Sequence, residues 1–368
     1  MLLVLDQLLD AFISTGVPGN DCAVFYKGKC IYRKQRGYSD YENKKEMNGS
    51  ERYNIYSCSK PITCVAAMQL WEKGMFSLED RVDKYFPEFS ELTVKDADGE
   101  IRRAEKPMLV KHLFEMTSGL GYDTLSPAIM AAKKQTDGRC PTLEVMKYMA
   151  KDPLHFEPGE KWRYSFSHDV IAALVELLSG ERFADYVKKN IFDPLGMNNS
   201  TFCLPDEELD TLAAQYLWKD GERVRLSKNI ANYKLGSEYD SGGAGCISTV
   251  DDYMKFLEAL RIGDVILKKE TIDLMATNRL TEDQRPTEDV GYLKNYGYGL
   301  GIRCYREGND YCDFGWNGAA GAHMAIDREN EITIFYAQHM LGSPMARIRH
   351  MVYAAARDEI LSCPDNFK

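Results

Sequence analysis

Ser57 and Lys60 stand three residues apart in the stretch YSCSKP, at the point where an apolar helical run begins. On a helix this spacing puts both side chains on one face. An isolated serine is a poor nucleophile, and an amine within hydrogen-bond reach, its proton affinity lowered by burial, can take the proton. A helix N-terminus also offers free amides to a developing oxyanion. A Ser-x-x-Lys tetrad arises by accident about once in a chain this rich in both residues, so on its own it does not define a site.

Two further stretches carry suitable chemistry. In FEPGEKWRYSFSHDV, Tyr164 follows the Pro158-Gly159 turn and precedes a helix, so its phenol is placed to enter a cleft. A phenol of ordinary pKa, about 10, is no base at neutral pH, but an adjacent ammonium such as Lys60 would stabilise its phenolate. In FGWNGAAG, residues 314–321, the small residues Gly318, Ala319 and Gly321 let a substrate lie against the backbone. The Ala319 amide there could complete an oxyanion hole with the Ser57 amide, and the strand edge could pair with an extended acyl group.

The elements that must bring these stretches together are legible from periodicity. The opening residues MLLVLDQLLDAFISTG read as an amphipathic helix packed on a core rather than a signal peptide, since Asp6 and Asp10 interrupt the apolar run and no basic segment precedes it. CAVFY and CIYRK flank Lys27-Gly28-Lys29 as a hairpin. PITCVAAMQLWE predicts a buried helix from Pro61 to about Glu72. Residues 75 to about 260 read as mainly helical, with helices in VKHLFEMTSG, TLEVMKYMAKD, SHDVIAALVELLSG and TVDDYMKFLEALRIG. YGYGLGIRCY, GAHMAID and EITIFYAQ predict strands, and PMARIRHMVYAAARDEIL a last helix. The fold class expected is α+β: an antiparallel sheet flanked by the terminal helices, with a mainly helical lobe inserted. As one domain over residues 1–368, its sheet lobe would span about 1–60 and 285–368 and its helical lobe about 61–284.

Composition removes several classes of function. A net charge of −10 repels a phosphate backbone or an anionic lipid surface, so neither nucleic acid nor membrane is expected as a partner. The 10 cysteines are scattered without a C-x-x-C pair, which points to free thiols in a reducing cytoplasm. His112, His155, His168, His323, His339 and His350 show no metal-ligand spacing, and no G-x-S-x-G supports a Ser-His-Asp hydrolase. No metal or cofactor is therefore expected. Cys58 reads as packing, and His168 and His323 as structural residues near the cleft.

Seven stretches in order, YNIYSCSKPITCVAAMQLWEKGMFSLEDRVDKYFPEF, VKHLFEMTSGLGYD, HFEPGEKWRYS, IFDPLGMNNSTF, SGGAGCISTVDDYMKF, YGYGLG and FGWNGAAG, resemble the serine β-lactamase and penicillin-binding-protein family over nearly the whole chain. The resemblance is to its class C and esterase-like branch, including family VIII carboxylesterases and acyltransferases. It implies Ser57 as acylated nucleophile, Lys60 as its proton partner, Tyr164 as general base and leaving-group acid, and Trp316, Asn317 and Gly318 as the strand beside the substrate. Tyr122 and Phe166 are candidates for a substrate-binding wall.

Two positions depart from that pattern. The family's Tyr-x-Asn is Tyr164-Ser165-Phe166, and its Lys-Thr-Gly is Trp316-Asn317-Gly318. Loss of an amide and a cation predicts a pocket that prefers neutral or apolar acyl groups, and ranks ester cleavage or acyl transfer above lactam cleavage. The partner expected is a small acyl substrate: an ester, lactone, lactam or short peptide. A β-lactamase or D-amino-acid peptidase or amidase with the same residues, and a non-catalytic binding or sensor protein of this fold, are the alternatives. The oligomeric state is left open.

Overall fold

The computed structural model describes residues 2–227, 233–285, 293 and 295–367; Met1, Lys368 and residues 228–232, 286–292 and 294 lie outside the described residues. The strands are β1 (Gly19–Tyr26), β2 (Lys29–Asp40), β3 (Lys45–Glu46), β4 (Tyr53–Asn54), β5 (Thr93–Lys95), β6 (Ile101–Arg103), β7 (Tyr216–Lys219), β8 (Glu222–Arg225), β9 (Ile247–Ser248), β10 (Gly297–Tyr298), β11 (Arg303–Cys304), β12 (Phe314–Asn317), β13 (His323–Asp327), β14 (Ile332–Gln338) and β15 (Met340–Leu341). The helices are α1 (Leu3–Ser14), α2 (Ser59–Glu72), α3 (Val110–Phe114), α4 (Pro127–Gln135), α5 (Thr142–Met149), α6 (Ser167–Ser179), α7 (Phe183–Val187), α8 (Asp193–Leu195), α9 (Val250–Ile262), α10 (Lys269–Met275) and α11 (Met351–Ser362).

An antiparallel sheet of order β10-β11-β12-β13-β14-β1-β2-β3 joins strands from both ends of the chain. Both of its faces are covered, which is why β14, ITIFYAQ, is buried at every position instead of alternating between buried and exposed residues. Ala23, Met324, Ile326, Phe335 and Ala337 point into the core shared with α2, α6 and α9. The residues between them, Cys22, Val24, Ala325, Ile334 and Tyr336, point the other way, onto α1 and α11. From α1, Leu5, Leu9 and Phe12 dock on that outer face, with the Phe12 ring edge-on to Tyr336 at 5.7 Å.

Three elements differ from expectation. The region read as mainly helical contains the hairpin β7–β8, which joins β15 in a second sheet; its Tyr216-Leu-Trp-Lys and Glu-Arg-Val-Arg runs around Asp220-Gly221 are a turn signal in the sequence itself. YGYGLGIRCY forms two short strands because the Leu300 amide bonds to the Met275 carbonyl at 3.0 Å and the chain folds back between them. The last helix begins at Met351, because Ala346, Ile348 and Met351 donate to the carbonyl three residues back and residues 344–350 wind as tight turns. All ten cysteines are free, and no helix among the described residues is long and apolar enough to cross a membrane.

Because Phe12 fills the outer layer, away from the nucleophile, Phe12→Ala should cost about 3–5 kcal/mol of stability. Urea unfolding followed by far-UV dichroism measures it; a loss under 1 kcal/mol would show that α1 does not bury this ring.

Candidate active site

Ser57 lies in a single 3-10 turn, Tyr56–Cys58, that runs directly into α2. Tyr56 has φ of +47°, a left-handed conformation disfavoured for a bulky side chain, and is held there by a 2.6 Å hydrogen bond from its hydroxyl to Gln215 Oε1 and by packing on Ala244 and Ala320. One turn of helix on, Lys60 is fully buried with Nζ 3.3 Å from Ser57 Oγ and donating to the Gly243 carbonyl at 2.7 Å. Burial lowers the Lys60 amine to about 7, although the neighbouring Asp169 carboxylate opposes the shift. The expected pair is thus in contact, with its amine poised to be neutral near neutral pH.

Tyr164 comes from the loop before α6. That loop is pinned to residues 116–121 by Arg163 N–H to Met116 O at 2.9 Å and Phe166 N–H to Gly121 O at 3.0 Å. The Tyr164 hydroxyl stands 2.5 Å from Ser57 Oγ, and the Trp316 side chain hydrogen-bonds the same phenol. Lys60 Nζ faces the Tyr164 ring, 4.4 Å from its centre, and so does not act as a direct partner of its oxygen. Burial pushes this phenol above its ordinary value, against the expectation that the adjacent ammonium would bring it down.

The third stretch reaches the serine through a close backbone contact. A Cβ at Gly318 would come within 2.3 Å of the Ile55 carbonyl, so only glycine lets the end of β12 lie beside the turn that bears Ser57. Ser57, Tyr122, Tyr164, Tyr233, Trp316, Asn317, Gly318, Ala319 and Arg349 line one cavity of about 210 Å3. Ser57 and Ala319, the two residues expected to supply oxyanion amides, therefore open on the same space.

The other expected wall residues take different places. Tyr122 lines the cavity between Tyr233, stacked on it at 4.8 Å, and Phe166, 4.8 Å on another side; Phe166 is not among the lining residues and backs the Tyr122 ring at the start of α6. Asn317 Oδ1 is 2.7 Å from Nδ1 of the buried His323, on the strand face away from Trp316. His168 is buried between the Phe114 carbonyl, 3.4 Å away, and Cys64, and Cys58 belongs to the core. Among the described residues no group of three or more His, Cys, Asp or Glu could hold a metal ion.

Sequence reasoning missed Tyr233, Arg349 and Asp169. Arg349 corrects the expectation of a wall without a cation: from the turns before α11 it reaches the cavity, Nη1 donating to the Gly318 carbonyl at 2.7 Å. No local pattern marks Tyr233 or Arg349, which approach the cavity only through tertiary packing. Asp169 did carry a signal, as an acidic residue in the otherwise apolar face of SHDVIAALV.

A sheet faced by helices, with a serine at the head of the helix that crosses it, is the β-lactamase/transpeptidase-like fold, a framework of serine hydrolases and acyltransferases. The chain belongs to the Beta-lactamase family, whose sequence profile matches residues 5–357. It is 30% identical over 292 residues to Esterase EstB of Burkholderia gladioli, covering 72% of each chain. It is 29% identical to Monacolin J acid methylbutanoyltransferase of Aspergillus terreus, over 66% of this chain and 62% of that one. In three dimensions it is similar to EstCE1, a hydrolase with promiscuous acyltransferase activity, with a TM-score of 0.79, 25% identity, and 96% and 98% of the two chains covered.

A fluorophosphonate should add its mass to the peptide that contains Ser57 in the wild type and to none in Ser57→Ala; peptide mapping by mass spectrometry checks this. Modification of another serine in the wild type would displace Ser57 from the site.

Proposed function

We propose that this serine hydrolase cleaves carboxylic esters of small acyl groups through an acyl-enzyme on Ser57, and transfers the acyl group where an acceptor other than water reaches it. The observation that carries this reading is the contact of one hydroxyl with two proton-handling groups, Lys60 Nζ at 3.3 Å and Tyr164 Oη at 2.5 Å, at the wall of an aromatic-lined cavity. That cavity, about 210 Å3, is walled by the rings of Tyr122, Tyr164, Tyr233 and Trp316, which suits an apolar acyl group.

The proton inventory assigns the steps. Neutral Lys60 accepts the Ser57 proton as Oγ bonds to the acyl carbon, and the amides of Ser57 and Ala319 hold the oxygen that takes the charge. Tyr164, kept as a neutral phenol by its burial, donates to the departing alkoxide, and the alcohol so formed relays the proton held by Lys60 back to the phenolate before it leaves. Water or an alcohol then attacks the acyl-enzyme by the same route in reverse. The roles of acid and base thus divide between the two residues, with Lys60 the better acceptor at neutral pH. The esterase and the methylbutanoyltransferase among the relatives support acyl esters as substrates and both fates of the intermediate.

Arg349 favours a second reading, in which the substrate carries a carboxylate, as β-lactams and D-peptides do. Short-chain aryl esters and a chromogenic cephalosporin compared under equal conditions separate the two. Ester turnover with a pre-steady-state burst, at least tenfold above the cephalosporin in kcat/KM, is expected; the reverse order would transfer the assignment to anionic substrates.

For the ester, kcat/KM should rise with pH through about 7, because Lys60 accepts the serine proton only once it has lost its own. Lys60→Ala and Tyr164→Phe should each lower kcat by at least about a hundredfold while leaving the fold intact. A near-normal rate in either, measured with the aryl ester, would remove that residue from the mechanism.

A further inference from the structure

Close to Lys60 lies a carboxylate that takes no part in the acylation steps above. Asp169, in the first turn of α6, is about 1% exposed. Its Oδ1 accepts from the Tyr239 hydroxyl at 2.9 Å and the Ser241 hydroxyl at 2.8 Å. Its Oδ2 and Lys60 Nζ converge on the same point: a Cβ built on Gly243 would stand 2.6 Å from the first and 3.3 Å from the second. Carboxylate and ammonium are therefore within about 6 Å of each other. A side chain at residue 243 would occupy that space, so glycine is what permits the approach.

The same segment grips the helix on which Ser57 and Lys60 are placed. The Gly242 carbonyl accepts from Thr63 Oγ1 at 2.7 Å, the Gly243 carbonyl from Lys60 at 2.7 Å, and Ser59 Oγ accepts from the Cys246 amide at 2.9 Å. Ser241 Oγ, which donates to Asp169, also accepts from the Ala244 amide at 3.1 Å. Asp169 thus organises the turn whose carbonyl aims the amine.

Among the described residues, the other ionisable groups around Lys60 are held uncharged or already paired. Burial pushes up the thiols of Cys58 and Cys64 and the phenols of Tyr122, Tyr164 and Tyr239, and drives the His168 imidazole down. Beyond Tyr239, Asp240 is engaged by Arg182 at 2.6 Å, and on the Ser57 side the cationic Arg349 lines the cavity. Asp169 is left as the counter-charge. Its own burial opposes ionisation, and the two hydroxyl donors and Lys60 offset that.

We propose that Asp169 is a positioning residue for acylation: fixed by Tyr239 and Ser241 beneath Gly243, it keeps the Lys60 side chain aimed at Ser57 and sets the pH at which Lys60 gives up its proton. This rests on the acyl-enzyme reading above and assigns to that site the group that tunes its base.

The test is the pH dependence of Ser57 acylation, read as the burst with an aryl ester, in wild type and Asp169→Asn. Loss of the negative charge should move the acid limb down by about one pH unit or more and lower the plateau rate. Asp169→Glu, which restores the charge, should bring the limb most of the way back. A uniform loss of rate with the limb unmoved would reduce Asp169 to a structural role and overturn the proposal. If Asp169→Asn does not fold, Ser241→Ala and Tyr239→Phe each strip one donor that favours the ionised carboxylate, and should move the limb downward by a few tenths of a pH unit; an unmoved limb in both overturns it equally. Failure of the acyl-enzyme reading itself is distinct: wild-type Ser57 would then show no burst at any pH.

Discussion

The site depends on one constraint, an amine on a long flexible side chain held in a fully buried place. Water is not there to solvate it, so its charged form is disfavoured and every contact that remains is supplied by protein. The Gly243 carbonyl, the ring face of Tyr164 at 4.4 Å, that of Tyr122 at 5.4 Å and the Asp169 carboxylate provide them. This environment places the amine on the serine and lets it shed its proton near neutrality. A solvated lysine on the same helix would do neither.

Several features far apart in the chain serve that arrangement. The packing of α2 on α6 leaves just enough room for the 241–246 segment to cross between them, so the proposed base, Lys60, and Asp169 come from two helices and meet at a third element. The left-handed Tyr56 turns the nucleophile out of the helix axis into the cavity, and the bare backbone at Gly318 brings the sheet edge up to it. Trp316 stacks parallel to Tyr164 at 6.1 Å and hydrogen-bonds its phenol. The strand therefore supports the proposed acid directly. The only arginine that lines the cavity among the described residues arrives from the other direction, from the turns before α11.

How much of this was legible in the sequence follows the range of the interactions. The sheet strands, α1, α2, α6 and α9 rest on local periodicity, and Ser57, Lys60 and Tyr164 on ordered motifs; each stands close to its expected place. The hairpin at 216–225 was also written locally, in its Asp-Gly turn, and was overridden by a helical reading of its surroundings. Residues 344–350 look helical because their composition suits a helix, and only the contact of Arg349 with Gly318 shows why they wind as turns beside the cavity. Tyr233 and Arg349 have no signature because their role is created by where the chain returns. The direction of the Tyr164 shift was unreadable for the same reason: whether Lys60 meets the ring or the oxygen is a matter of a few ångströms in the folded state.

The central claim is that Lys60 is a neutral amine at the pH where the protein works. It is tested most directly by NMR of 13Cε-labelled lysine in the resting protein, the Lys60 resonance assigned by its absence in Lys60→Ala and followed from pH 5 to 11. A midpoint near 7 is what the burial of this side chain predicts. A midpoint near the ordinary lysine value, about 10.4, would show a charged amine beside Ser57 and contradict the account.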